Sequence, residues 1–304
     1  MVTKTKRPKA PQTQPRAATR RPPLWVYLAA AGIVILGIAI AVLANRGSGS
    51  PPSSAGLPDT PDYHSLLVDP TNPDRLLLGT HAGLYRSSDG GRHWQFFKLP
   101  NRDAMNLARV GTGRTLWLAG HNVFARSNDG GRTWQELGPS SLPSLDIHGF
   151  AVDPSTAGTV YAAVAGEALY RSTDNGATFT RASPDVGGAV MALAVTRSGD
   201  LLAGDMQRGL LRSSNGGRTW SEILNAQLAG LAISPRNPNL ILATGPGVLR
   251  SSDGGRTWKQ VIELQSGAGP VAWAPSVQAR AYVVGFDRTL YRSDDAGSSW
   301  QPVR

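Results

Sequence analysis

Ser251-Ser252-Asp253-Gly254-Gly255-Arg256-Thr257-Trp258 decides how this chain is read, because variants of it occur six times. In order, the copies are Ser87/Asp89/Gly91/His93/Trp94, Ser127/Asp129/Gly131/Thr133/Trp134, Ser172/Asp174/Gly176/Thr178/Phe179 and Ser213/Asn215/Gly217/Thr219/Trp220. The quoted copy follows, and the last is Ser293/Asp295/Gly297/Ser299/Trp300. The closing aromatics are 40, 45, 41, 38 and 42 residues apart. A period near 40 points to one structural unit repeated six times.

Each period reads as four short strands joined by tight turns. In the first, HSLLVD (64–69) is an apolar run, Pro70–Asp74 a turn and RLLLGT (75–80) a second strand. His81-Ala82-Gly83 turns into LYRS (84–87), the motif forms the next turn, and residues 93–98 make a fourth strand. No period carries an apolar pattern of helical spacing. The expected fold is all-β: a six-bladed β-propeller of four-stranded antiparallel blades over residues 63–304, preceded by one N-terminal transmembrane helix. An open stack of repeats needs polar caps. The last motif ends at Trp300 with no cap after it, so a closed ring joined by whole-blade packing is expected, with residues near Tyr63 as candidates for an extra closing strand.

Inside the motif, the Ser hydroxyl and the Asp carboxylate suit backbone N–H groups that a tight loop leaves unpaired. Gly supplies positive φ, and the aromatic opens the fourth strand with a large face to bury. Aspartates placed in every blade stand around a ring and cannot share one active site. A structural clamp is therefore expected, and Asn215 supports it, since a neutral acceptor suffices for a clamp. Phe179 shows that an indole N–H is dispensable in the third blade. Arg86, Arg126, Arg171, Arg212, Arg250 and Arg292 recur in all six blades and are read as structural.

The six copies resemble Asp boxes, or bacterial neuraminidase repeats. Lead-in segments such as VDPTNPDRLLLGTHAGLYRSSDGGRHW (68–94) are similar to the propellers of sortilin-type receptors, xyloglucanase-like glycoside hydrolases and photosystem II assembly and stability factors. The resemblance spans residues 63–304. It implies the fold strongly and the function weakly, because these propellers occur in enzymes and in binding proteins alike.

The chain carries a net charge of +10, but residues 1–23 hold seven basic residues and no acidic one. The remaining 24 basic and 21 acidic residues leave +3, without a basic stripe interleaved with stacking aromatics, so no nucleic-acid partner is expected. Leu24 to Ala44 is 21 residues without a charge. At about 1.5 Å per residue it spans roughly 30 Å of hydrocarbon. Trp25 and Tyr27 suit the interface, and the positive-inside rule places residues 1–23 in the cytoplasm and the propeller outside. A cleaved signal peptide has an apolar region of only about 7–15 residues. Although Val42-Leu43-Ala44 fits a cleavage site, an uncleaved signal-anchor is expected, with secretion as the alternative. Residues 45–62 are a Gly/Ser/Pro-rich linker. With no Cys, disulfides, thiolate chemistry, Cys-ligated zinc and a lipid-modified cysteine are excluded.

Catalysis is expected to be absent. The chain has four Glu, and only Glu167 sits in a second-to-third-strand turn. Tyr85, Tyr170 and Tyr291 occupy one repeated position and read as packing, as do Trp117 and Trp273. The five His show no zinc-motif spacing, each motif Gly-Gly precedes a strand rather than a phosphate-binding helix, and no metal or cofactor is expected. Specificity is expected among turns that differ between blades, opposite the motifs. These offer His81, His121, Asn122, Glu167, Asp205, Arg208, Asp287 and Arg288, with Arg102, Asp103, Asp146, His148 and Asp185 in the links. The function expected is a non-catalytic, membrane-anchored scaffold for an extracytoplasmic protein or glycan. The alternative is a sialidase-like or xyloglucanase-like glycoside hydrolase using Asp205 with Asp287 or Glu167.

Overall fold

The computed structural model describes residues 54–304. The expected basic tail, the membrane segment and most of the linker lie outside the described residues. Among the described residues every regular element is a β-strand, and no helix is long and apolar enough to cross a membrane.

The strands form six antiparallel sheets, each in sequence order from the inside outward. Blade 1 holds Ser65–Val68, Leu76–Thr80, Gly83–Ser87 and His93–Lys98. Blade 2 holds Asn106–Arg109, Leu116–Gly120, Val123–Ser127 and Gln135–Glu136. Blade 3 opens with Ile147–Val152, blade 4 with Val190–Val195, blade 5 with Gly230–Ile233 and blade 6 with Ala268–Trp273. The first strand of each blade lies against the first strands of both neighbours, and that of blade 6 lies against that of blade 1. The ring is therefore a closed six-bladed propeller.

Six hydrophobic clusters hold it, one at each joint between blades. Leu84 of blade 1 meets Leu118 and Val123 of blade 2; Trp117 and Phe124 meet Phe150 and Phe179; Tyr161 and Leu169 meet Leu193 and Leu201. Leu202 and Leu210 meet Ile241, Leu242 and Val248 meet Trp273 and Val283, and Tyr282 and Leu290 of blade 6 meet Leu76 and Trp94 of blade 1. Second strands have neighbouring blades on both faces, so they read as unbroken apolar runs such as VYAAV, buried throughout. Fourth strands are outer edges, and they are polar and exposed, as in Gln135–Glu136.

The seam closes by whole-blade packing, as expected. Tyr282 donates to the Pro73 carbonyl at 3.0 Å, Arg280 bonds Asp74 at 3.0 Å, and Arg92 donates to the Arg304 carbonyl at 3.0 Å. An additional two-residue strand, Ser54–Ala55, pairs with His93 and Trp94. It lengthens blade 1 at its outer edge and does not bridge the seam. Tyr63 instead packs into the seam cluster and donates to the Pro58 carbonyl.

Candidate functional site

The six motifs share one geometry. In each, the Ser Oγ accepts the N–H of the glycine four residues on at 2.8–2.9 Å and donates to the Asp or Asn Oδ1 at 2.7–2.9 Å. The carboxylate then takes the backbone N–H four residues on, and where Thr or Ser stands there it also accepts the hydroxyl. Asn215 makes the same clamp: its Oδ1 accepts the Thr219 N–H and its Nδ2 donates to the Thr219 hydroxyl. Each indole donates to the preceding glycine carbonyl, as Trp94 does to Gly91 at 2.9 Å. Phe179 has no such donor and is buried regardless. Burial differs from the expectation in one respect. Trp94 and Phe179 are buried, whereas Trp134, Trp220, Trp258 and Trp300 are half-buried.

The motif carboxylates are held low. The Thr178 hydroxyl and N–H keep Asp174 at about 2, and Ser299 does the same for Asp295. Unfolded carboxyls titrate near 3.9. The stabilisation these clamps give is therefore complete above about pH 4 and disappears as the pH falls through about 2. Asp174→Asn is expected to leave the melting temperature at pH 7 nearly unchanged and to shrink its drop between pH 7 and 2.5. An unchanged acid sensitivity in this variant contradicts the clamp assignment.

On the opposite face the fold assembles a row that local spacing does not show. His81 and His121 occupy the two-residue turns between second and third strands of blades 1 and 2. Asp62 and His64 precede the first strand of blade 1, Asp103 precedes that of blade 2, and Asp146 and His148 lie at the start of blade 3. His64 Nε2 lies 3.1 Å from Asp62 and 3.1 Å from His81 Nδ1. Asp103 stands between His81 and His121, at 2.7 and 2.5 Å. His121 Nε2 reaches Asp146 at 3.4 Å and His148 Nε2 at 3.0 Å. The Asp103 side chain is only 11% exposed. Burial alone raises its pKa, but the contacts with His121 and His81 win and hold the carboxyl well below the usual range. The Asp103 contact raises His121, and burial lowers His148. The sequence named five of these seven residues and missed Asp62 and His64. A signal was present: Asp-x-His occurs at 62–64 and 146–148, at the same point of two blades.

The other expected site residues do not join this row. Asp205 is buried and caps its turn, accepting the N–H groups of Gln207 and Arg208 at 2.8 and 3.1 Å. Arg208 pairs with Glu222. Asp287 accepts the Tyr291 hydroxyl at 2.7 Å and the Thr289 N–H at 3.0 Å, and Arg288 pairs with Asp59. Glu167 and Asn122 are exposed at turn tips of blades 3 and 2. Trp117 and Trp273 are core, as read. The central channel, lined by His64, Met105, Asn106 and Met191 among others, has a volume of only about 100 Å³.

The larger concavities open toward the motif end. One, of about 500 Å³, lies between blades 1 and 2. Leu67, Leu77 and Phe97 give it an apolar floor, and Arg75, Arg86, Arg109 and Arg132 surround it. Arg86 stacks 4.9 Å above the Phe97 ring. The Nε of Arg109 is buried with no hydrogen-bond partner, and burial pulls its guanidinium below its ordinary pKa. The one Asp in the lining, Asp69, is occupied by Thr71 and Asn72 of its own turn. A second cleft of about 570 Å³ lies at the seam, but there Asp294 pairs with Arg292. Among the described residues no arginine of the first cleft forms a side-chain ion pair, although Asp69 attracts Arg109 at longer range.

Fold and clamps together define a six-bladed propeller of the bacterial neuraminidase-repeat type. The chain belongs to the photosynthesis system II assembly factor YCF48 family, whose model matches residues 65–304. Solved structures of the same fold include the GH74 xyloglucanase from Xanthomonas campestris, with a TM-score of 0.60 at 17% identity over 84% of this chain and 47% of that one. The chain thus spans about half the length of that enzyme. YCF48 from Cyanidioschyzon merolae superposes with a TM-score of 0.53 at 17% identity, covering 83% of this chain and 88% of that one. A YCF48 bound to D1 peptide gives 0.52 at 19% identity, covering 83% and 85%. At these identities the likeness shows the fold alone. No curated protein matches the chain.

Proposed function

We propose that this protein is a non-catalytic scaffold, anchored through residues 24–44 with its propeller outside the membrane, that binds an extended segment of a protein partner bearing acidic groups. The observation that carries this reading is the cleft between blades 1 and 2. Its four arginines and apolar floor suit a short strand or chain end with carboxylates beside apolar side chains. At Arg109, whose Nη1 donates to the Gly113 carbonyl, Nε is buried without an acceptor, an incentive to bind one. Membership of the YCF48 family supports a protein ligand, since a YCF48 has been solved with D1 peptide. Of the carboxylates nominated for hydrolysis, Asp205 is engaged in its turn and Asp287 with Tyr291, while Glu167 stands exposed at a turn tip of blade 3.

The test is capture of the partner from intact cells with a membrane-impermeant crosslinker. The wild-type chain should yield a discrete partner, and Arg109→Glu with Arg132→Glu should reduce its recovery at least tenfold. Equal recovery with both charges reversed contradicts the cleft assignment. Labelling only after the cells are permeabilised contradicts the topology.

A further inference from the structure

Four of the protein's five histidines meet on the face opposite the motifs. Within that row, His121 Nε2, His148 Nε2 and Asp146 Oδ1 form a nearly equilateral triangle with edges of 3.0, 3.2 and 3.4 Å. Atoms bound about 2.0–2.1 Å from a tetrahedral zinc ion lie roughly 3.3 Å from one another. The triangle therefore has the dimensions of one face of such a coordination shell.

A hydrogen-bonded cluster explains the geometry less well. Protons cannot turn all three edges into hydrogen bonds: with both imidazoles protonated on Nε2 the two N–H groups face each other at 3.0 Å, and with one protonated two bare acceptors face each other, whereas a single cation serves all three atoms at once. Asp146 Oδ1 is shielded from solvent and has the two imidazole nitrogens beside it at 3.2 and 3.4 Å. Behind the triangle, Asp103 Oδ2 contacts the far nitrogen of His121 at 2.5 Å. A carboxylate behind a ligating imidazole fixes its ring orientation and makes it a better donor. Asp103 is held in turn by His81 at 2.7 Å. The triangle is built by fold and not by local spacing: His121 comes from the turn of blade 2, and Asp146 and His148 come from the start of blade 3.

We propose that His121, Asp146 and His148 bind one divalent first-row transition ion of the zinc class, with Asp103 as the positioning residue. Two imidazoles and one carboxylate favour zinc, cobalt or nickel over magnesium or calcium. His121 and Asp146 are 40% and 43% exposed, so the fourth position faces solvent and can take water or a donor atom from a docked chain. This inference is independent of the arginine cleft, because it is read on the isolated chain.

The untagged full-length protein, purified in detergent and stripped with chelator, should bind one equivalent of cobalt(II) with the visible absorption of a tetrahedral complex. Zinc should displace it, and magnesium should not. His148→Ala and Asp146→Asn should each weaken zinc binding at least 100-fold, and Asp103→Asn about 10–100-fold. His93→Ala, a histidine on the far face, should leave it unchanged. His148→Gln stands in if the alanine variant melts early, since it keeps the volume and loses the imidazole. An unchanged cobalt spectrum in the His148 variants overturns the proposal. So does a wild-type chain that takes up no stoichiometric cobalt at micromolar concentration.

Discussion

Trp94→Ala is expected to destabilise the propeller by about 3–5 kcal/mol, the range for deleting a large buried side chain. Trp94 is 1% exposed and packs at the seam with Tyr282 and Leu290 of the last blade. Its loss therefore weakens the joint that closes the ring as well as blade 1 itself. For a domain of this size, a loss of 1 kcal/mol lowers the melting temperature by about 2–4 °C, so a drop on the order of 10 °C is expected. Trp134→Ala should cost about half as much, because that ring is half-buried on an outer strand. Trp94→Phe removes the bond to the Gly91 carbonyl, worth about 1 kcal/mol, together with part of the buried ring, and should cost less than Trp94→Ala. Equal losses for the alanine variants of Trp94 and Trp134 contradict the assignment of Trp94 to the seam.

Gly83→Ala is expected to cost about 2–6 kcal/mol, combining backbone strain of about 1–3 with overpacking of about 1–3. Gly83 has φ of +124°, outside what side-chain-bearing residues adopt. A methyl group there overlaps the Leu99 carbonyl oxygen and lies 2.9 Å from that of Lys98. Both obstacles are backbone, so neither can rotate away. The residue also closes the turn that presents His81, whose shape is set by Thr80: its hydroxyl accepts the Ala82 N–H and donates to the Gly83 carbonyl. Gly130→Ala is the comparison, at a φ of +80° with no atom within 4 Å of the added methyl. It should cost only the left-handed backbone strain, about 1–2 kcal/mol. Urea unfolding of the two variants checks this, and equal costs contradict the collision at Gly83.

The fold was legible because the sequence repeats its own solution six times. The second strands announce themselves as apolar runs, since blades cover both their faces. The clamp was legible from Asn215 and Phe179, the two departures that show which atoms of the motif do the holding. The candidate sites were less legible, for two physical reasons. The His/Asp row joins turns and links of three blades, so no local spacing encodes it, although Asp-x-His at 62–64 and 146–148 hinted at it. The arginine cleft draws Arg75, Arg109 and Arg132 from turns, a first strand and a motif loop, where each reads as an ordinary surface residue. Arg86, set aside as a repeated structural arginine, lines that cleft while stacking on Phe97. Asp205 ends the second strand of blade 4, where the sequence gives no sign that its side chain is buried. Its carboxylate is the cap that makes the turn possible.

The repeated residues hold the ring, and the cleft between blades 1 and 2 is assigned to the partner. The most direct test places a photo-crosslinking amino acid at Gln95, in that cleft, and at Lys259, the same fourth-strand position in blade 5. The account predicts one discrete crosslinked species from Gln95, lost in the Arg109→Glu and Arg132→Glu background, and none from Lys259. The same species from both positions, or no species from Gln95 in cells where the protein is abundant, contradicts it.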